Sequence, residues 1–410
     1  MTPSQPSANH SLERADATLV GTTSGDGPPV LLLHAGGERR QVWSPVQRHL
    51  AAAGLQSVAY DQRGHGETTT TAALTLSALS GDVDAMLRHH DHAVVAGASL
   101  GGLAGILAVG EAGPDTRADG LVLLDVVPNL DRRETTRFLG AQPGDLLESP
   151  FVEDALGHVE RLCEAAARFA VPVLLLRAGH SPISDLACER FQDLVPSATV
   201  DSFPTAGHLM ARDEPAAVAG SIARFSQHPD VRRRRTDRLT TEAGLACIPH
   251  PGGTLGEHLR RTGDLLRRWR MEPWIEDAGR VHAIYETDGF AAETSIAVER
   301  ETVTAAIGSR AEALVTLYGT CDRERSLATM ATDAPTVVDR HGGPPVALDA
   351  STLRAFVHLT VANELDALTH SDELRRAHGA ALADLFDEWL PMLNGRARND
   401  VRRTVATWHS

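Results

Sequence analysis

Between residues 28 and 225 the chain alternates short runs of consecutive apolar residues with longer stretches whose apolar residues recur every three or four positions. The runs at 29–33, 57–60, 92–96, 120–125 and 171–177 are rich in Val, Leu and Ala and close on Gly, Asp or His. Continuous apolar runs suit strands buried on both faces of a parallel sheet. Intervening stretches such as 44–54 and 101–110 are long enough for crossover helices. The pattern therefore predicts an α/β fold with a doubly wound, mostly parallel sheet. From 128 to 170 the alternation gives way to a charged, helical insertion. We expect a small lid there, about 129–170, over the carboxyl ends of the strands.

A polar stretch follows at 226–241, with four consecutive arginines from Arg232 to Arg235. It reads as a solvated linker (229–241) between a first domain, 1–228, and a second, 242–410, with a nucleic-acid patch as the alternative. Beyond it apolar residues recur at helical spacing over 254–269, 275–285, 300–317, 352–369 and 371–390, without clear strands. The second domain is expected to be all-α. Thr254 followed by Glu257 predicts a capping box at the start of its helix.

Composition narrows the chemistry. The chain has 410 residues, enough for two or three domains, with an apolar fraction of 42%. A formal net charge of −15 leaves no basic surplus to neutralise phosphates, so nucleic-acid binding is not expected. There is no lysine; every basic residue other than histidine is arginine. Schiff-base and pyridoxal-phosphate chemistry, Ser-Lys dyads and the Walker A loop are thereby excluded. Cys163, Cys188, Cys247 and Cys321 form no CxxC pair and read as reduced thiols of a cytoplasmic protein. The polar first 20 residues predict no signal peptide, and no apolar run is long enough to predict a membrane span. The bias towards Arg, Ala and Leu is that of a GC-rich bacterial gene.

The segment Gly97-Ala98-Ser99-Leu100-Gly101 falls between a predicted strand and a predicted helix. A serine there sits on a sharp turn that projects its hydroxyl above the sheet, flanked by glycines that permit close packing. The Leu100 N–H would point at a developing oxyanion, and Gly36, in the turn after 31–33, would supply a second donor. Tyr60-Asp61-Gln62-Arg63-Gly64-His65-Gly66 closes the next strand. His208 follows the last one, where a general base belongs. Four motifs in this order resemble the α/β-hydrolase family over about residues 15–228, in particular its compact esterase, lactonase and cofactor-free perhydrolase-like members. The resemblance implies Ser99 as nucleophile and His208 as base. It argues against epoxide hydrolases and haloalkane dehalogenases, which carry aspartate where this chain has Ser99.

The acid departs from the family pattern. Relatives place an aspartate in a segment that here reads Gly179-His180-Ser181-Pro182, with proline in its place. Asp125, at the end of the preceding strand, is the favoured candidate and Asp185 the alternative; a triad without an acid is the third possibility. His34, His65 and His180 read as turn residues. Arg39 and Arg40, beside the oxyanion turn, read as solvent-exposed, with recognition of an anionic substrate as the alternative.

In the second domain His258, His282 and the acidic segment Asn363-Glu364-Leu365-Asp366 resemble the ligand order of HD-domain metal proteins. Residues 282–290 are similar to an uncharacterised family of helical HD-like domains with a His-x-x-Tyr-Gly-Thr segment, Glu286 replacing the glycine. True HD domains have aspartate after the second histidine; here Ala283 follows. His258 and His282 are therefore candidate ligands for a single Zn or Fe, against the reading that both are satisfied within a helical core.

The leading expectation is a cofactor-free serine hydrolase that cleaves a small carboxylic ester, lactone or thioester through an acyl-enzyme. Its partner would be a small-molecule acyl substrate, with no nucleic acid or membrane and with homodimerisation open to the helical half. The alternatives are a metal-dependent phosphohydrolase or oxygenase in the helical half, and a non-catalytic binding scaffold.

Overall fold

A computed structural model describes residues 8–90, 92–142, 146–285 and 298–409. It divides into two compact units, 1–232 and 233–410.

The first unit is built on one nine-stranded sheet. Its strands are β1 (Ala8–Glu13), β2 (Ala17–Ser24), β3 (Pro29–Leu33), β4 (Gln56–Tyr60), β5 (Thr69–Thr70), β6 (Ala93–Ala98), β7 (Ala118–Leu124), β8 (Val173–His180) and β9 (Thr199–Gly207). The order is β1-β2-β4-β3-β6-β7-β8-β9, with β5 paired to β2. From β4 to β9 the pairings are parallel, whereas β1 and β2 form an antiparallel hairpin laid antiparallel on β4. The strands β3, β6 and β7 are buried throughout, as their continuous apolar runs require. The hairpin β1–β2 alternates exposed or half-buried with more buried residues, a weaker signal that periodicity did not reveal.

Helices α1 (Ser44–Ala52), α2 (Leu76–His89), α3 (Leu100–Ala112), α4 (Arg132–Gly140), α5 (Pro150–Gly157), α6 (Val159–Ala166), α7 (Asp185–Leu194), α8 (Met210–Asp213) and α9 (Pro215–Ser226) complete the unit. One apolar cluster combines Leu31, Val95 and Leu123 with the inner faces of α2, α3 and α6. A second combines Val30, Ala96 and Val122 with those of α1 and α9. Residues alternate between these clusters along each strand, so the sheet is covered on both sides. Of the expected lid, α6 belongs to the body: a Cβ at Gly110 of α3 would stand 2.2 Å from Ala165 O.

Strand order reverses between β3 and β6, since β4 lies on one side of β3 and β6 on the other. Such a switch point opens a crevice beyond the carboxyl ends of the two strands. The turn at 34–37 and Ser99 lie there.

The stretch expected as a linker is instead a helix, α10 (Pro229–Glu242). Arginine is a good helix former, and Val231, Thr236, Leu239 and Thr240 give the helix residues to bury. The division between the units falls within it.

The second unit opens with a two-strand ladder, β10 (Pro249–His250) and β11 (Gly253–Thr254). Its helices are α11 (Leu255–Arg268), α12 (Pro273–Val281), α13 (Arg300–Ile307), α14 (Ser309–Gly319), α15 (Arg323–Leu327), α16 (Ala350–His370), α17 (Asp372–Trp389) and α18 (Gly395–Ala406). The capping box is formed: Thr254 Oγ1 accepts the Glu257 N–H at 3.2 Å and Glu257 accepts the Thr254 N–H at 2.9 Å. The helix expected over 300–317 is broken at Gly308, whose φ of 81° no L residue adopts without strain.

Candidate active site

Ser99 lies between β6 and α3 with φ 47° and ψ −112°, a strained conformation for a residue with a side chain. Its neighbours make that turn possible. A Cβ at Gly97 would stand 2.5 Å from Gly101 O, and one at Gly101 would stand 2.6 Å from Leu33 O. Only glycine lets strand and helix approach this closely. Leu100 opens α3, so its N–H belongs to the first turn, which has no acceptor within the helix. Gly36 lies against Leu100, its missing Cβ 3.7 Å from Leu100 Cδ2.

The loop after β4 fixes the turn that carries Gly36. His34 donates through Nδ1 to Ala35 O at 2.8 Å and accepts the Gln62 N–H on Nε2 at 3.0 Å. His65 accepts the Gly37 N–H on Nε2 at 3.1 Å, and its Nδ1 donates to Arg63 O. These bonds need neutral imidazoles. Burial pushes His34 down to about 4 and lowers His65 as well. Below them Arg63 grips Asp82 through two nitrogens at 2.6 Å each. Arg40, expected in solvent, is buried against Asp61 and Glu67; Arg39 and His180 are exposed.

His208 follows β9 and is half-buried. Its Nδ1 stands 2.8 Å from Asp125 Oδ2. Asp125 follows β7 with φ 51° and no exposed side chain. The other oxygen, Oδ1, accepts the Ala178 N–H at 3.0 Å and the Ser181 hydroxyl at 2.6 Å. Ser181 Oγ itself accepts the Ile183 N–H at 2.9 Å, which leaves its proton for Asp125. Asp185 instead pairs with Arg177 at 2.6 Å, its side chain 87% exposed. Ser99, Asp125 and His208 line one cavity of about 510 Å³. No hydrogen bond joins Ser99 to His208 among the described residues. An imidazole held this way by a carboxylate on Nδ1 presents its Nε2 lone pair as a base.

Sequence reasoning missed Ser181, although it lies in the segment searched for the acid. It also missed Phe138 of the lid, edge-on to His208 with ring centroids 4.9 Å apart. A third omission was the ion pair of Glu38 and Arg212 at 2.8 Å on the cavity wall. None of these contacts follows from local spacing.

The model of the alpha/beta hydrolase fold family matches residues 28–151. The first unit has the α/β-hydrolase fold. Solved structures similar to this hydrolase unit include a putative epoxide hydrolase from Pseudomonas aeruginosa, at 20% identity over 57% of this chain and 99% of that one, TM-score 0.46. A thioesterase domain from the curacin biosynthetic pathway shares 16% over 53% and 99%, TM-score 0.44. A putative aryl esterase from Burkholderia cenocepacia shares 20% over 54% and 98%, TM-score 0.43. A comparison with curated proteins gave no match. Outside the hydrolase unit, residues 239–323 match a domain of unknown function, DUF6817.

In the helical unit the structure brings His258 and His282 together, ring centroids 5.3 Å apart. The acidic segment of α16 joins them. His258 has Nδ1 2.8 Å from Asp366 Oδ2 and Nε2 2.9 Å from Asn363 Oδ1. Arg261 spans both oxygens of Asp366 at 2.8 and 3.0 Å. His282 donates through Nδ1 to Gly279 O at 2.9 Å, and complete burial pushes it down to about 3. Among the described residues no group of three His, Cys, Asp or Glu is arranged to hold a metal ion. His258 spends both ring nitrogens within the protein, and a guanidinium already neutralises Asp366. Of the segment 282–290, residues 286–290 lie outside the described residues.

Proposed function

We propose that the hydrolase unit is a serine hydrolase that cleaves a carboxylic ester, lactone or thioester through an acyl-enzyme. Ser99 Oγ attacks the carbonyl carbon while His208 Nε2 takes its proton. The Leu100 and Gly36 N–H groups receive the oxyanion. The leaving alcohol or thiol takes the proton back from His208. Water, activated by the same imidazole, then releases the acid and frees Ser99. Asp125 holds the His208 Nδ1–H throughout and stabilises the imidazolium.

The observation that carries this reading is the 2.8 Å contact of His208 with the buried Asp125, in the cavity that also contains Ser99. The strained backbone at Ser99 and the position of Leu100 at the start of α3 support it. The test is the mass of intact protein after treatment with a fluorophosphonate. One adduct is expected, absent from Ser99→Ala. No adduct under conditions that label a control hydrolase would overturn the proposal.

A further inference from the structure

The walls of the Ser99 cavity sort by chemistry. Below, Leu103 of α3 and Val126 and Val127 after β7 are buried and apolar. Above, the lid helices α4 and α5 add Phe138 and Leu139, and Phe151 and Leu156. Because Phe138 stands edge-on to His208, the apolar space begins beside the imidazole. The charged lining residues other than Asp125 and the histidines are Glu38, Asp131, Glu134 and Arg212. Arg212 is bound by Glu38 at 2.8 Å, and burial raises the Glu38 carboxyl. Asp131 and Glu134 form no ion pair among the described residues; Asp131 caps α4 by accepting the Glu134 N–H at 2.8 Å. The three arginines of α4 do not line the cavity: Arg132 pairs with Glu153, while Arg133 and Arg137 are exposed. Among the described residues its single guanidinium is therefore bound by a carboxylate, and two further carboxylates are left over.

We propose that this cavity takes an uncharged acyl group of medium length and disfavours acyl groups delivered on phosphate-bearing carriers. The inference rests on the serine-hydrolase reading above and narrows its substrate. Apolar walls reward each methylene that leaves water, by about fourfold in kcat/KM. A carboxylate or phosphate would enter without a free cation to receive it and would meet like charge at Asp131 and Glu134.

The test uses the full chain and two sets of substrates. Across p-nitrophenyl acetate, butyrate and hexanoate, kcat/KM is expected to rise about fourfold per methylene. Hexanoyl-pantetheine differs from hexanoyl-4′-phosphopantetheine only in lacking the phosphate. We expect it to be hydrolysed at least about tenfold faster at low salt, with a smaller gap in Asp131→Asn/Glu134→Gln and at high salt. In Val152→Trp, which fills the cavity from α5, preference should move towards acetate while Ser99 still takes up fluorophosphonate. A flat or acetate-preferring profile in protein that labels at Ser99 overturns the acyl assignment. Equal rates for the two thioesters overturn the exclusion of anionic carriers. Failure to label at Ser99 is a different result, which removes the serine-hydrolase reading and this inference with it.

Discussion

Asp125 meets three donors at once: the Ser181 hydroxyl and the Ala178 N–H on one oxygen, His208 on the other. A carboxylate so held cannot rotate away from the imidazole, and the tautomer with Nδ1 protonated is fixed. Asp125→Asn is therefore expected to lower kcat by about three to four orders of magnitude. Asp185→Asn should change it by less than about twofold, since Asp185 faces solvent and Arg177. Equal losses, measured by steady-state hydrolysis of a chromogenic ester, would refute the assignment of the acid. Ser181→Ala removes one charge-assisted bond and should lower kcat about tenfold with KM little changed, while Ser181→Thr retains activity. Ser99, His208, Leu100 and Gly36 could be singled out from the sequence because each lies at the end of a predicted strand, and in the structure all four line one cavity. For the acid, Asp125, Asp185 and a triad without an acid all stayed open, because both aspartates follow strands and only the pairing of β7 with β8 brings Asp125 to His208.

Elements whose signal is local formed where the chain predicted them. The strand expected over 29–33 is Pro29–Leu33, and the helix expected over 371–390 is Asp372–Trp389. The capping box at Thr254 is another such signal. Its loss in Thr254→Ala should cost about 1 kcal/mol, read as a lower urea midpoint of the full chain monitored by circular dichroism. An unchanged midpoint would mean that α11 is held by packing alone. Elements whose formation depends on remote partners were misread. Four consecutive arginines suggested solvent, yet Arg232 and Arg235 are buried, and Val231 and Leu239 of α10 join apolar clusters whose other members are far away in sequence. In the lid, charge and helicity were visible from 128 to 170, but only packing separates α6, pressed on α3, from α4 and α5, which roof the cavity.

At the scale of the molecule, both units hold buried or half-buried histidines neutral. In the hydrolase unit His34 and His90 are pushed down to about 4, chiefly by burial; in the helical unit the same cause takes His250 and His358 to about 4. The unfolded chain binds these protons near pH 6.5, whereas the folded chain resists them until about pH 4, so stability is complete above pH 6.5 and falls as the pH drops through that window. Each such histidine contributes up to about 1.4 kcal/mol per pH unit to the loss. The urea midpoint should be level from pH 8 to 7 and fall steadily between 6.5 and 4.5; a level midpoint across that range would show that these imidazoles are not held neutral. The sequence by itself determined the division into an α/β half and a helical half, the strand-turn-helix that carries Ser99 and the placement of His208 after the last strand. These rest on periodicity and turn chemistry within a few residues. Tertiary structure alone decided that Asp125 and not Asp185 meets His208, the partners of His258 and the chemistry of the cavity walls. His208 and Asp125 are separated by 83 positions, and His258 and Asp366 by 108. Contacts over such distances are set by sheet register and helix packing, which no local pattern of residues encodes.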